Sequence, residues 1–179
     1  MPTVARLYDT YADAVAVVTD LESSNLGPDA EISLIASEKA TGRDTTVETQ
    51  HTKASAAGTG AGAGAAVGGI VGILAGLGML AIPGIGPLVA AGWLATTAAG
   101  AGVGAAAGGL IGALTSAGLH HDEAETYEEG IRRGGTLVAV RADAALIPRI
   151  EQVMDTRVSP AWQQRRESYI TSGWKPSRV

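Results

Sequence analysis

The chain contains no cysteine. It therefore has no disulfide framework, no thiolate nucleophile and no cysteine-ligated metal, a composition that suits a reducing compartment. A second absence is larger. From Ala54 to Leu119 the chain runs for 66 residues without one charged side chain. All 13 basic and 18 acidic residues lie in the flanks, and the overall charge is −5. A net negative chain with no basic stripe argues against a nucleic-acid partner, because phosphate binding is driven by clustered Lys and Arg. No lysine occurs between Lys53 and Lys175, and no Gly-x4-Gly-Lys-Ser/Thr is present. That excludes a phosphate-binding loop of that type. The first residues lack a basic segment followed by an apolar run, so no secretory signal is expected there.

What fills the uncharged stretch is glycine, at 19 of the 66 positions, with alanine and scattered larger apolar residues. The glycines form two ladders of four-residue spacing. The first is Gly60, Gly64, Gly68, Gly72 and Gly76; the second is Gly92, Thr96, Gly100, Gly104, Gly108, Gly112 and Ser116. Between them Ile82-Pro83-Gly84-Ile85-Gly86-Pro87 is nearly palindromic, and reflection about Gly84 places Gly76 on Gly92 and Gly68 on Gly100. A four-residue repeat drifts slowly around a helix, so each ladder would form one small-residue groove. Two helices folded back at Pro83, Gly84, Gly86 and Pro87 would then touch along those grooves. Glycine in a helix costs roughly 0.5–1 kcal/mol relative to alanine. Close packing, or a medium that enforces backbone hydrogen bonding, must offset that cost. Val67–Pro87 and Leu88–Ala113 each reach the roughly 20 apolar residues of a membrane span. The expectation is a self-associating hairpin inserted in the membrane from its cytoplasmic side. The alternative is a soluble, cytoplasmic homo-oligomer built through the same hairpin.

The flanks pattern as a small α/β domain. Val4–Tyr8 reads as a strand, Asp9 or Thr10 as a cap, and Ala12, Val15, Val18 and Leu21 as a helix face ending near Ser23 or Ser24. Ile32–Ala36 reads as a second strand. Asp122 with Glu125 suggests a capping box for a helix carrying Tyr127 and Ile131. Thr136–Val140 is the clearest strand, and Leu146–Met154 a helix with Pro148 in its first turn. Two such strand–helix halves predict an α+β fold: a ferredoxin-like sandwich with helices on one sheet face. Its fourth strand would have to come from Thr156–Ser159. The expected organisation is residues 1–53 and 120–179 as the halves of this domain and 54–119 as the inserted helical hairpin.

Residues with catalytic potential do not assemble into a motif. His120-His121-Asp122-Glu123 is adjacent in sequence, whereas helical metal pairs sit three or four residues apart. His51 stands alone, and no serine is singled out by a neighbouring base. No catalytic residue, cofactor or metal site is expected. The basic and aromatic tail (Arg165, Arg166, Lys175 and Arg178 with Trp162, Tyr169 and Trp174) reads as an amphipathic helix packing its aromatics on the domain. A small-molecule sensor would need a polar pocket around Tyr8, Arg141 or Tyr127.

The block Tyr127-Glu128-Glu129-Gly130-Ile131-Arg132-Arg133-Gly134-Gly135-Thr136-Leu137-Val138-Ala139-Val140-Arg141-Ala142 resembles the signature of bacterial heat-induced or general stress proteins with a glycine-zipper insertion. The likeness extends over Val4–Ala36, the ladders and Ser172-Gly173-Trp174. It implies a stress-associated, non-enzymatic protein; the expected partners, the chain itself and membrane lipid, follow from the ladders. Its motif residues here are Tyr127, Glu128, Glu129, Gly130, Arg132, Arg133, Gly134 and Gly135.

Overall fold

The computed structural model describes residues 1–41, 78–82, 86–100, 105–157 and 160–177. The chain is a mixed α+β fold around an antiparallel sheet. In order, the elements are β1 (Thr3–Tyr8), α1 (Tyr11–Ser23), β2 (Glu31–Ser37), β3 (Gly78–Ile82), β4 (Gly86–Ala91), α2 (Trp93–Gly100), α3 (Ala105–Ser116), α4 (His121–Arg132), β5 (Thr136–Arg141), α5 (Ile147–Met154) and α6 (Trp162–Thr171). Short 3-10 turns follow β2 and β5. The five strands lie in the order β1-β5-β2-β4-β3, every neighbouring pair antiparallel.

Strand alternation builds two cores. Ala5, Leu7, Ile35, Leu88, Ala90, Leu137 and Ala139 face one side, against Leu94, Leu110, Leu114, Tyr127 and Ile131 from α2, α3 and α4. Val4, Tyr8, Leu34, Ala36, Val138 and Val140 face the other, against Val17, Val18, Leu21, Ile150 and Met154 from α1 and α5. Helices therefore cover both faces, not one as the ferredoxin-like expectation requires. The reason lies in β5, where Leu137, Val138, Ala139 and Val140 are all fully buried. A strand apolar on both sides needs two covering layers. The sheet order differs as well: β5 lies between the parallel strands β1 and β2. Of the fourth strand expected from Thr156–Ser159, Thr156 lies in a turn and Arg157 in a bend, and positions 158–159 lie outside the described residues.

The additional strands come from the middle of the uncharged stretch. β3 and β4 pair antiparallel from Gly78↔Ala90 to Ile82↔Gly86, so the reversal expected around Pro83, Gly84, Gly86 and Pro87 joins strands rather than helices. Two apolar runs of five and six residues on either side of a Pro/Gly cluster suit buried strands. Pro87 is tolerated because pairing with β2 begins one residue later, at Leu88↔Ser37. The second half of the stretch is therefore part of the domain. Leu88, Leu94, Leu110 and Leu114 are 0–1 % exposed. No helix among the described residues is long and apolar enough to cross a membrane.

The glycine ladder divides accordingly. Gly60, Gly64, Gly68, Gly72, Gly76 and Gly104 lie outside the described residues, as do Pro83 and Gly84. Gly100 and Gly108 are helical. Gly92 is not: it turns the chain from β4 into α2 with φ of +88°. A Cβ there would lie 2.2 Å from the Ile32 carbonyl oxygen, so glycine is needed by the corner and not by a helix face. Gly112 is helical, but a Cβ on it would meet open space. Helix α3 is itself broken at Gly109, with φ 38° and ψ −137°.

Candidate interaction site at the sheet edge

Around Gly92 the β4–α2 corner is fastened to β2. The Leu94 amide donates to the buried Ser33 hydroxyl at 2.9 Å, satisfying one of the free N–H groups at the start of α2. Arg141 lays its guanidinium 4.5 Å from the Trp93 ring centroid and pairs with Glu31. Arg141 is thus engaged structurally.

At the opposite edge, the Tyr127–Gly135 segment forms a seat for β1. The Tyr127 hydroxyl donates to the Ala5 carbonyl at 2.9 Å and lies 3.0 Å from Glu123 Oε1. Gly130 leaves room for Leu7, whose Cδ2 lies 2.0 Å from where a Cβ would be; the Tyr169 hydroxyl is 3.0 Å away. Helix α4 ends as glycine-terminated helices commonly do. Gly134, with φ of +99°, donates to the Ile131 carbonyl, and Gly135 donates to the Gly130 carbonyl at 2.9 Å. Glu128, Glu129, Arg132 and Arg133 make ion pairs along one helix flank. Burial pushes the Glu128 carboxyl above its ordinary range, against the opposing pull of Arg132. Each motif residue is accounted for by packing or turn geometry.

The tail packs onto this seat, as the amphipathic reading expects. Arg133 sits 4.3 Å from the Tyr169 ring centroid and donates to Ser172. Tyr169 meets Trp174 edge-on at 6.2 Å, and Arg166 lies over Trp174. The capping box does not form. His120 is the N-cap of α4 and makes no side-chain cap bond. Asp122 instead accepts from Arg166 at 3.1 Å, and Glu125 accepts from the Ser177 amide at 2.9 Å. The tail has claimed both carboxylates that the sequence pattern offers to the helix start.

Arg165 is the residue that sequence reasoning placed without a role. It is 8 % exposed, donating from Nη2 to the Leu7 carbonyl and from Nη1 to Asp9, each at 2.8 Å. Two adjacent arginines beside aromatics look alike in sequence. Only the fold sends Arg165 to β1 and Arg166 to α4.

None of this converges on an open reaction centre. A shallow depression of about 370 Å³ lies beside Asp122, Trp162, Arg166 and Ile170, but Arg166 is already paired there. Among the described residues no three His, Asp or Glu side chains are grouped to hold a metal ion, and His121 faces Glu125 at 3.8 Å. Tyr8 donates to the Met154 carbonyl at 2.8 Å. Burial raises the pKa of Tyr8 and Tyr127 well above the ordinary tyrosine value, so both hold their protons at neutral pH.

That burial has a measurable consequence. Above about pH 10 an unfolded tyrosine releases its proton while Tyr8 and Tyr127 keep theirs, so the unfolded state gains and stability falls. The stabilising contribution is complete below the unfolded value and is lost as pH rises toward the folded one. The unfolding free energy obtained from denaturant titrations between pH 9 and 11.5 should drop steeply, by up to about 1.4 kcal/mol per pH unit for each tyrosine. Tyr8→Phe should flatten that slope while costing about 1 kcal/mol at pH 7. A slope unaltered in both Tyr8→Phe and Tyr127→Phe would contradict the assignment.

No family model, curated protein or solved structure matches the chain.

Proposed function

We propose that this is a non-enzymatic stress-response protein that works by self-association, with the α/β domain as a base and the first glycine ladder, Gly60 to Gly76, as the contact surface. The stress assignment rests on the resemblance of the Tyr127–Ala142 block. The observation that carries the rest is the place of β3 and β4. Because Leu88–Leu114 supplies core residues, the ladder left for association lies in Ala54–Leu77, an uncharged run of 24 residues. The chain leaves the sheet after β2 and returns to the same sheet at β3. A segment anchored at both ends to one domain does not cross a bilayer once, and two crossings need about 40 apolar residues. This favours association between copies on the cytoplasmic side over a transmembrane pair.

Detergent-free protein, sized by multi-angle light scattering at tens of micromolar, tests the proposal. A particle several-fold heavier than the 18.0 kDa chain, reduced to the monomer by Gly64→Leu with Gly68→Leu, is expected. A monomeric wild type would refute it. Wild-type material that sizes as a monomer alone yet co-sediments with lipid vesicles would restore the membrane reading.

A further inference from the structure

Of the two edges of the sheet, one is closed by side chains. The Ala142 amide donates to the Pro2 carbonyl on the β5 side of β1, so the Ala5 and Leu7 carbonyls point outward. Both are occupied. Ala5 accepts from the Tyr127 hydroxyl and from Arg6 at 3.0 Å, and Leu7 accepts from Arg165 at 2.8 Å. These are positions an incoming strand would need, and of the two Leu7 is the one held by α6, while Ala5 is held by Tyr127 of α4 and by Arg6. At the other edge β3 pairs, among the described residues, with β4 alone. Its sequence, Gly78-Met79-Leu80-Ala81-Ile82, holds no charge and no proline, the two usual blunting devices.

We propose that helix α6 is a releasable strap over the β1 edge, and that its release lets β3 of a second copy pair there. The strap is fastened mainly by polar bonds: Arg165 to Asp9 and Leu7, Arg166 to Asp122, and Arg133 to Ser172. Asp9 and Asp122 are 68 % and 60 % exposed at their side chains, against 8 % and 18 % for Arg165 and Arg166, so salt reaches the acid side of each pair. The apolar contacts that oppose lifting are those of Tyr169, which is buried, and Trp162, which packs partly buried against the core cluster, whereas Ile170 is 47 % exposed. Opening this helix therefore costs less than unfolding the domain.

The occupant follows from the sheet itself. With every neighbouring pair antiparallel, β1 and β3 run in the same direction. Displacing one copy along the sheet sets its β3 parallel to the β1 of the next, with six residues facing five. Such a contact is heterologous, so it propagates rather than closing at a dimer. The surface is separate from the glycine ladder.

The full-length chain carrying Gly64→Leu and Gly68→Leu, which removes ladder association, is the background for the test. Arg165→Met should then give concentration-dependent growth, with mean mass at 100 µM at least about 5-fold above the background chain, and faster amide exchange in the Thr3–Tyr8 peptide at low concentration. Adding Leu80→Lys should abolish the growth. An Arg165→Met chain with native circular dichroism and unchanged mass would overturn the proposal. If Arg165→Met does not fold, Asp9→Asn in 0.5 M NaCl decides, with unchanged mass again the adverse result. Growth that persists with Leu80→Lys overturns the choice of β3 as occupant. Ladder failure and strap failure are thereby read separately.

Discussion

Gly92→Ala should lower the unfolding free energy by roughly 2–6 kcal/mol, summing backbone strain and overpacking of about 1–3 kcal/mol each. Gly92 has φ of +88°, a conformation that L side chains rarely adopt. The added methyl would also lie 2.2 Å from the Ile32 carbonyl oxygen and 2.8 Å from Ser33 Cα. Both are main-chain atoms of a central strand, so no rotamer change relieves the overlap. The β4–α2 corner would have to lift, and with it the Ser33 bond to the Leu94 amide. Urea unfolding checks this through a lower midpoint at unchanged slope. The experiment also separates two architectures. On the face of a helix, alanine in place of glycine would stabilise by about 0.5–1 kcal/mol. A raised midpoint would therefore sink the strand assignment.

Leu94→Ala and Leu114→Ala should each cost about 3 kcal/mol, within the 2–5 kcal/mol usual for buried leucine. Both side chains are fully buried, in one cluster with Leu7, Ile35, Tyr127 and Leu137 from the charged flanks. The loss combines transfer of the removed methyls with the cavity left behind. Because the two belong to one cluster, the double variant should depart from additivity. Thermal unfolding in plain buffer reports the effect. If these leucines faced lipid or a second copy instead, the stability of an isolated domain would be indifferent to them. Unchanged melting in both variants would return the second arm to the outside of the fold.

Local signals in the flanks were strong enough to be read directly. Thr10 caps α1, with its hydroxyl accepting from the Asp13 amide. The short apolar runs at Val4–Tyr8, Ile32–Ala36 and Thr136–Val140 are strands, and Pro148 sits at the start of α5. These features depend on neighbours a few residues away. The Asp122–Glu125 pair shows the limit of that reasoning, since its acids are captured by Arg166 and Ser177, more than 40 residues along the chain. The glycine pattern shows it more sharply. Four-residue spacing suggests a helix groove at Gly92, yet the backbone there is a left-handed corner. A short apolar run beside Pro and Gly fits either a helix or a buried strand, and periodicity alone does not choose.

By itself the sequence determined the charge-free interior of the chain, the lack of thiol chemistry, the strand–helix units of the flanks and the point of reversal near Gly84. It also carried the motif that closes α4 against β1, through glycine's tolerance of positive φ. Only the tertiary structure decided what the reversal joins. Strand β2 offers a hydrogen-bonding edge to Leu88–Ala91, and the cluster holding Ile35 and Leu137 takes in Leu94, Leu110 and Leu114. Backbone pairing and burial at long sequence separation outweigh a local helical pattern, because a sheet edge and an open core must be satisfied by whichever apolar segment reaches them.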